Sequence, residues 1–186
     1  LQDAVPLRVL GCARRTLDPT SRVLVLGGES GLTPRLVGRV RAGFGDAGAG
    51  LHGGLTGAQG LSEGRRNRAG GADVAVGARA ARFAPFKDLG LIVVDEEHEH
   101  TYKQENAPRY NARDLAVVRG KQAGIPVILG SATPALESWQ NAVSGRYRLA
   151  RLRTRPGGAQ LPEVRVVDMG REWADVKGAP LLSRKI

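Results

Sequence analysis

The chain has 186 residues, 41% of them hydrophobic, with 28 Lys and Arg against 18 Asp and Glu and a net charge of +10. That length suffices for one domain with a real core and excludes two large ones, and the charge favours a polyanionic partner such as nucleic acid, although the Arg-, Ala- and Gly-heavy composition lowers the weight of that reading. A lone cysteine, Cys12, excludes an internal disulfide or a zinc site and suits a reducing compartment such as the cytoplasm, and no run of about 18 apolar residues offers a membrane span.

Residues 1 to 21 form an irregular or degenerate segment. Leu7 to Leu10 offers a short strand, but Pro6, Pro19 and the pair Arg14-Arg15 break any period. There is no starting Met and no basic stretch leading into an apolar secretory core, so the expectation is a chain that begins inside something longer. Arg22 to Leu26 is a strand candidate that ends at Gly27-Gly28-Glu29-Ser30-Gly31-Leu32-Thr33-Pro34. Thr33 can cap a helix with Pro34 at its first position, and Leu36, Val37 and Val40 then share one face while Arg35, Arg39 and Arg41 occupy the rest.

Residues 43 to 71 are rich in glycine and hard to order without neighbours. Gly48-Ala49-Gly50-Leu51-His52-Gly53 satisfies G-x-G-x-x-G, with Asp73 about 20 residues on, but a dinucleotide site needs a strand before the glycines and a helix after them. Neither is visible, and chance in a glycine-rich segment is the simpler account. Asp73 to Val76 is a short strand that leads into Gly77-Ala78-Arg79-Ala80-Ala81-Arg82-Phe83, where Phe83 and Phe86 are expected to pack on the sheet.

Leu91-Ile92-Val93-Val94 is a buried-strand run, and Asp95-Glu96-Glu97-His98 follows it without a spacer. Acids in that place belong at the strand's carboxyl end, where an open parallel sheet keeps its ligand crevice. One carboxylate there can hold a cation through water while the next orients a water for attack, as a nucleotide hydrolase requires; the competing account is a solvated turn. Between His98 and Asn111 basic residues alternate with two tyrosines, a pattern that can grip single-stranded nucleic acid by charge and stacking or can be a solvated loop anchored by tyrosine.

Ala112 to Ala123 is predicted as a crossover helix, with Ala112, Leu115, Ala116 and Val118 facing inward and Gly124 stopping it. Ile125 to Leu129 is a second buried-strand run, tipped by Gly130-Ser131-Ala132-Thr133-Pro134. Thr133 and Pro134 are expected to open a helix whose Leu136, Trp139 and Val143 lie in the core and which Gly145 ends. Tyr147 to Leu152 and Val164 to Val167 are predicted as later strands around a Pro156-Gly157-Gly158 turn, and the tail from 170 to 186 is expected to fray.

Asp95-Glu96-Glu97-His98 resembles the DEAH-type second motif of superfamily 2 helicases, and Ser131-Ala132-Thr133 resembles their third motif. The flanks Leu89 to Val94, Tyr102-Lys103-Gln104-Glu105, Pro108-Arg109-Tyr110 and Leu129 to Trp139 narrow the resemblance to the PriA-type replication restart helicases, over residues 22 to 169. The resemblance implies an α/β fold, a RecA-like parallel sheet with flanking helices, as part of the first motor lobe. It also implies ATP and magnesium as cofactors, with Asp95 serving the magnesium through water, Glu96 the attacking water, and His98 with Ser131, Ala132 and Thr133 the link to DNA grip. DNA contacts fall on Gly31 and Thr33, on Arg79, and on Tyr102, Lys103, Arg109 and Tyr110 of the aromatic-rich loop; the implied partners are forked or single-stranded DNA, primosome proteins and single-strand-binding proteins.

The chain departs from that family in several places. Gly28-Glu29-Ser30 replaces a Pro-Glu-Ile segment, Ala78 and Ala80 replace a Thr and a Ser that could bind phosphate, and Asn111 stands where a His is usual. No G-x-x-x-x-G-K-[ST] phosphate loop occurs, nor the paired cysteines of the family's zinc site. The function expected is therefore a fragment of an ATP-dependent 3′ to 5′ DNA helicase that restarts stalled forks; the alternative is a catalytically dead DNA-binding remnant. A third reading makes Asp95, His98 and His100 a hydrolytic metal site, for which the H-E-x-x-H spacing is missing.

Overall fold

The computed structural model describes residues 21–28, 48–51, 71–86 and 88–152, together with the single residues 11, 62, 64, 65, 68, 69, 166 and 168. The chain divides into two units, Leu1–Ala150 and Arg151–Ile186, and the elements below all lie in the first. Five strands, β1 (Arg22–Leu26), β2 (Gly48–Leu51), β3 (Val74–Gly77), β4 (Leu89–Val94) and β7 (Val127–Leu129), build one sheet in the order β2-β3-β1-β4-β7. Every pairing in it is parallel. A two-residue hairpin of β5 (Lys103–Gln104) and β6 (Tyr110–Asn111) stands apart from the sheet, and the helices α1 (Ala112–Ala123) and α2 (Leu136–Val143) flank β7 in sequence.

The expected parallel α/β architecture is therefore observed. β1, β3 and β4 are apolar and buried on both faces, as parallel strands between covering layers are. Leu24, Leu26, Ala75, Ile92 and Val94 form one core face, on which Ala112 and Ala116 of α1, Ala81 and Tyr102 also pack. Phe86, Leu89, Ile125 and Val127 close its margin.

Helix α1 has the predicted bounds. The Asn111 side chain accepts the Arg113 N–H at its start, and Gly124 ends it in the left-handed conformation (φ 67°) that glycine adopts without steric cost. Its buried face differs from the prediction: Ala112, Arg113, Ala116 and Gly120 are buried, Leu115 only partly, and Val118 is exposed. The face is set by what can approach the sheet closely, because a Cβ at Gly120 would collide with Val127 Cγ2.

Four more expectations are corrected. The glycine-rich Gly48–Leu51, in which no strand was visible, is a strand held by backbone pairing with β3, and its glycines run in extended backbone, in keeping with a chance G-x-G-x-x-G. Leu136, Trp139 and Val143 of α2 are exposed, Leu136 at 82%, so their helical spacing marks the apolar face of an amphipathic helix and does not place them in the core. Phe83 is 69% exposed and meets the Tyr110 ring edge-on, whereas Phe86 does pack on the core. Tyr147 to Leu152 is irregular instead of a strand, having no neighbouring strand to pair with among the described residues. The predicted helix after Thr33, His52, most of the predicted strand at 164–167 and the tail from 170 lie outside the described residues.

Candidate nucleotide site at the tips of β4 and β7

β4 sits between β1 and β7, and its register with each runs to the last residue: Val94 lies opposite Leu26 on one side and Leu129 on the other. The turn that follows keeps both neighbours. The Asp95 N–H donates to Leu26 O at 2.8 Å, and the Glu97 N–H donates to Gly130 O at 3.0 Å. The acidic turn thus straddles the carboxyl ends of three parallel strands, the position in which such a sheet binds ligands. Glu96 takes a left-handed backbone (φ 45°), unusual for a residue with a Cβ, and this bend separates its side chain from that of Glu97.

Asp95 and Glu96 are partly exposed, and neither is sealed against apolar neighbours. His98 Nδ1 lies 2.8 Å from Ser131 Oγ and 3.5 Å from Glu96 Oε2, and Ser131 Oγ accepts the Thr133 N–H at 3.0 Å. Glu96, His98, Ser131 and Thr133 therefore form one continuous polar chain from the tip of β4 to the tip of β7. Ala132 lies exposed between the two hydroxyl residues.

Tyr102 departs from expectation. Its ring is 1% exposed, and its hydroxyl donates to Asp95 O at 2.6 Å and Leu26 O at 3.1 Å. A ring held in this core is not available to stack on a base, so Tyr102 leaves the set of DNA-contacting candidates. Burial, and then the nearby carboxylates of Asp95, Glu99, Glu96 and Glu97, push its phenol far above the ordinary range and keep it neutral. The remaining loop candidates do come together. Lys103, Gln104, Glu105, Arg109, Tyr110 and Asn111 line an open groove of about 620 Å³ beside the hairpin, and Arg79 Nη1 donates to Lys103 O at its back. Gly31 and Thr33 lie outside the described residues.

Glu97 was assigned no role from sequence, yet it is the most connected acid of the site. It is 2% exposed; its Oε1 accepts the Ala135 N–H at 2.6 Å, and its Oε2 accepts from Ser138 Oγ at 2.7 Å and Arg113 Nη1 at 3.2 Å. Ala135 is the N-cap residue of α2 and has no capping side chain of its own, so the carboxylate from β4's turn satisfies that helix start. Burial alone would lower the Arg113 pKa, but the Asp114 and Glu97 carboxylates more than offset it and hold the guanidinium above its ordinary value. The available signal was Glu97 itself, a charged residue where a DEAH motif has alanine. Among the described residues no three His, Cys, Asp or Glu side chains are grouped to hold a metal ion, so Asp95, His98 and His100 do not form the alternative hydrolytic site. Nor is any described helix long and apolar enough to cross a membrane.

Comparison with known proteins shows what the chain is similar to. Over 158 residues, 85% of this chain, the sequence is 43% identical to the replication restart protein PriA of Bacillus subtilis (strain 168). The chain is thus similar to one part of PriA. PriA of Chlamydia pneumoniae is 42% identical over 178 residues, 95% of this chain and 24% of that protein. The chain spans about a fifth to a quarter of the length of these PriA relatives. No family model matches. Among solved structures, the helicase domain of Hef from Pyrococcus furiosus superposes on 78% of this chain and 28% of its own, with a TM-score of 0.49 and 16% identity.

Proposed function

We propose that this chain is part of the ATP-binding lobe of a cytoplasmic 3′ to 5′ DNA helicase that restarts stalled replication forks. The observation that carries the reading is the 2.8 Å contact between His98 and Ser131, which joins the acidic tip of β4 to the hydroxyl tip of β7 on adjacent parallel strands. With ATP and magnesium bound, Asp95 would hold the cation through water and Glu96 would orient or deprotonate the attacking water. Both residues are partly exposed at the strand ends, which suits hydrated-cation chemistry. The polar chain through His98, Ser131 and Thr133 then relates nucleotide state to the DNA-facing surface. Gly31, Thr33, Arg79, Lys103, Arg109 and Tyr110 are the proposed DNA contacts, with primosome and single-strand-binding proteins as further partners.

The test is ATP turnover by the chain, with and without forked DNA, against a Glu96→Gln control. Since its sequence holds no phosphate loop, turnover is expected to stay at the level of the control; clear DNA-stimulated hydrolysis above it would overturn that expectation.

The groove beside the hairpin favours a second reading, a lobe that holds DNA without turning over nucleotide. It predicts single-strand binding that weakens steeply with salt and ignores magnesium-ATP. Lys103→Ala and Arg109→Ala are each expected to flatten the slope of log affinity against log salt by about 0.7, the share of one phosphate contact. Slopes unchanged in both variants would move the DNA path elsewhere.

A further inference from the structure

We infer that Glu97 is the positioning residue of the nucleotide site, the joint through which the acidic turn 95–98 and the start of α2 hold one orientation. The inference deepens the helicase reading but rests on geometry that exists without nucleotide. Glu97 is adjacent to both Glu96 and His98, and its own carboxylate points away from them into protein. There it gathers three donors from two other elements: Arg113 from the first turn of α1, and the Ala135 N–H and Ser138 hydroxyl from the start of α2. Three donors, one of them charged, leave this carboxylate little freedom to rotate.

The positions of these partners give the arrangement its consequence. Ser131, which meets His98, and Thr133, whose N–H donates to Ser131 Oγ, lie in the segment between β7 and α2, so their placement depends on both ends of that segment. One end is fixed by the β4–β7 ladder, where the Gly130 N–H donates to Val94 O at 2.8 Å. Glu97 fixes the other. The segment carrying the hydroxyls is thereby clamped at both ends to the turn carrying the acids, and the His98–Ser131 contact is set by a side chain that touches neither residue's polar atoms. Arg113 has a second role here: its ion pair makes a buried carboxylate tolerable at that joint.

A role confined to local stability and a role in positioning differ at His98. The experiment is a ¹⁵N-resolved NMR comparison of the full chain with its Glu97→Gln, Ser138→Ala and Glu137→Gln variants, following amide exchange at Ala135 and the His98 ring nitrogens. Glu97→Gln is expected to speed Ala135 exchange at least about tenfold and to shift the His98 ring signals as the Ser131 contact loosens. Ser138→Ala, which removes a single donor, should move both in the same direction by less. Glu137→Gln, at an exposed acid 4.0 Å from Arg113, should move neither. His98 signals unchanged in a folded Glu97→Gln chain overturn the inference; if that variant does not fold, unchanged His98 signals in Ser138→Ala overturn it. Neither readout requires ATP or DNA, so failure here is separate from failure of the helicase assignment.

Discussion

Arg113 and Glu97 form the only ion pair among the described residues in which both side chains are under 10% exposed, at 9% and 1%. Removing one partner of such a pair leaves the other charge buried and unpaired, so Arg113→Met is expected to cost about 3–5 kcal/mol in urea unfolding, whereas Asp114→Ala, which removes an exposed partner of the same guanidinium, should cost under about 1 kcal/mol. Tyr102 makes a different prediction, in pH. Its phenol is protonated in the folded chain but ionises near pH 10 once unfolded, so the stabilisation is fully present below about pH 10 and is lost as the pH rises further. Unfolding free energy should fall by up to about 1.4 kcal/mol per pH unit above that point, and Tyr102→Phe should remove this part of the slope while costing about 1–3 kcal/mol at neutral pH through its lost hydrogen bonds. The polar cluster at the strand tips was legible because Asp95, Glu96, His98 and Ser131 sit in short runs directly after apolar strands. Glu97 was not, because its partners lie up to 41 positions away and no local pattern marks it; a tyrosine anchor was one of two readings left open for the loop, and an acceptor 76 positions away decides it for Tyr102.

The elements show a similar division. β1, β4, β7 and α1 were legible from β-branched runs, from a capping Asn111 and from a terminating Gly124. β2 was not, because Gly-Ala-Gly-Leu carries no side-chain signature and becomes a strand only when β3 offers it a ladder. Helix α2 shows the limit of periodicity: a repeating apolar row reports that a helix has two faces and does not report which of them is covered. Leu136→Gln should accordingly change the stability of this chain by no more than about 0.5 kcal/mol in urea unfolding. Gly120→Ala, by contrast, places a methyl against Val127 Cγ2 and is expected to cost about 1–3 kcal/mol, with Val127→Ala in the same chain recovering much of the loss.

Across the sheet as a whole, the strand bearing the acids is internal, and the strand bearing the hydroxyls lies at the edge beside it and follows it by one crossover helix. Parallel pairing joins residues far apart in the chain, which makes this sheet slower to form than one built from hairpins. β1, β3 and β4 can pair before β7 exists, but the contact between His98 and Ser131 cannot. During synthesis, then, a chain that has emerged from the ribosome as far as Gly124 can already hold its acids at the end of a sheet while the partner of its imidazole is still inside the exit tunnel. The joined polar tips arrive late, as a product of completed topology, and a prematurely terminated chain carries the acids without the hydroxyls that meet them.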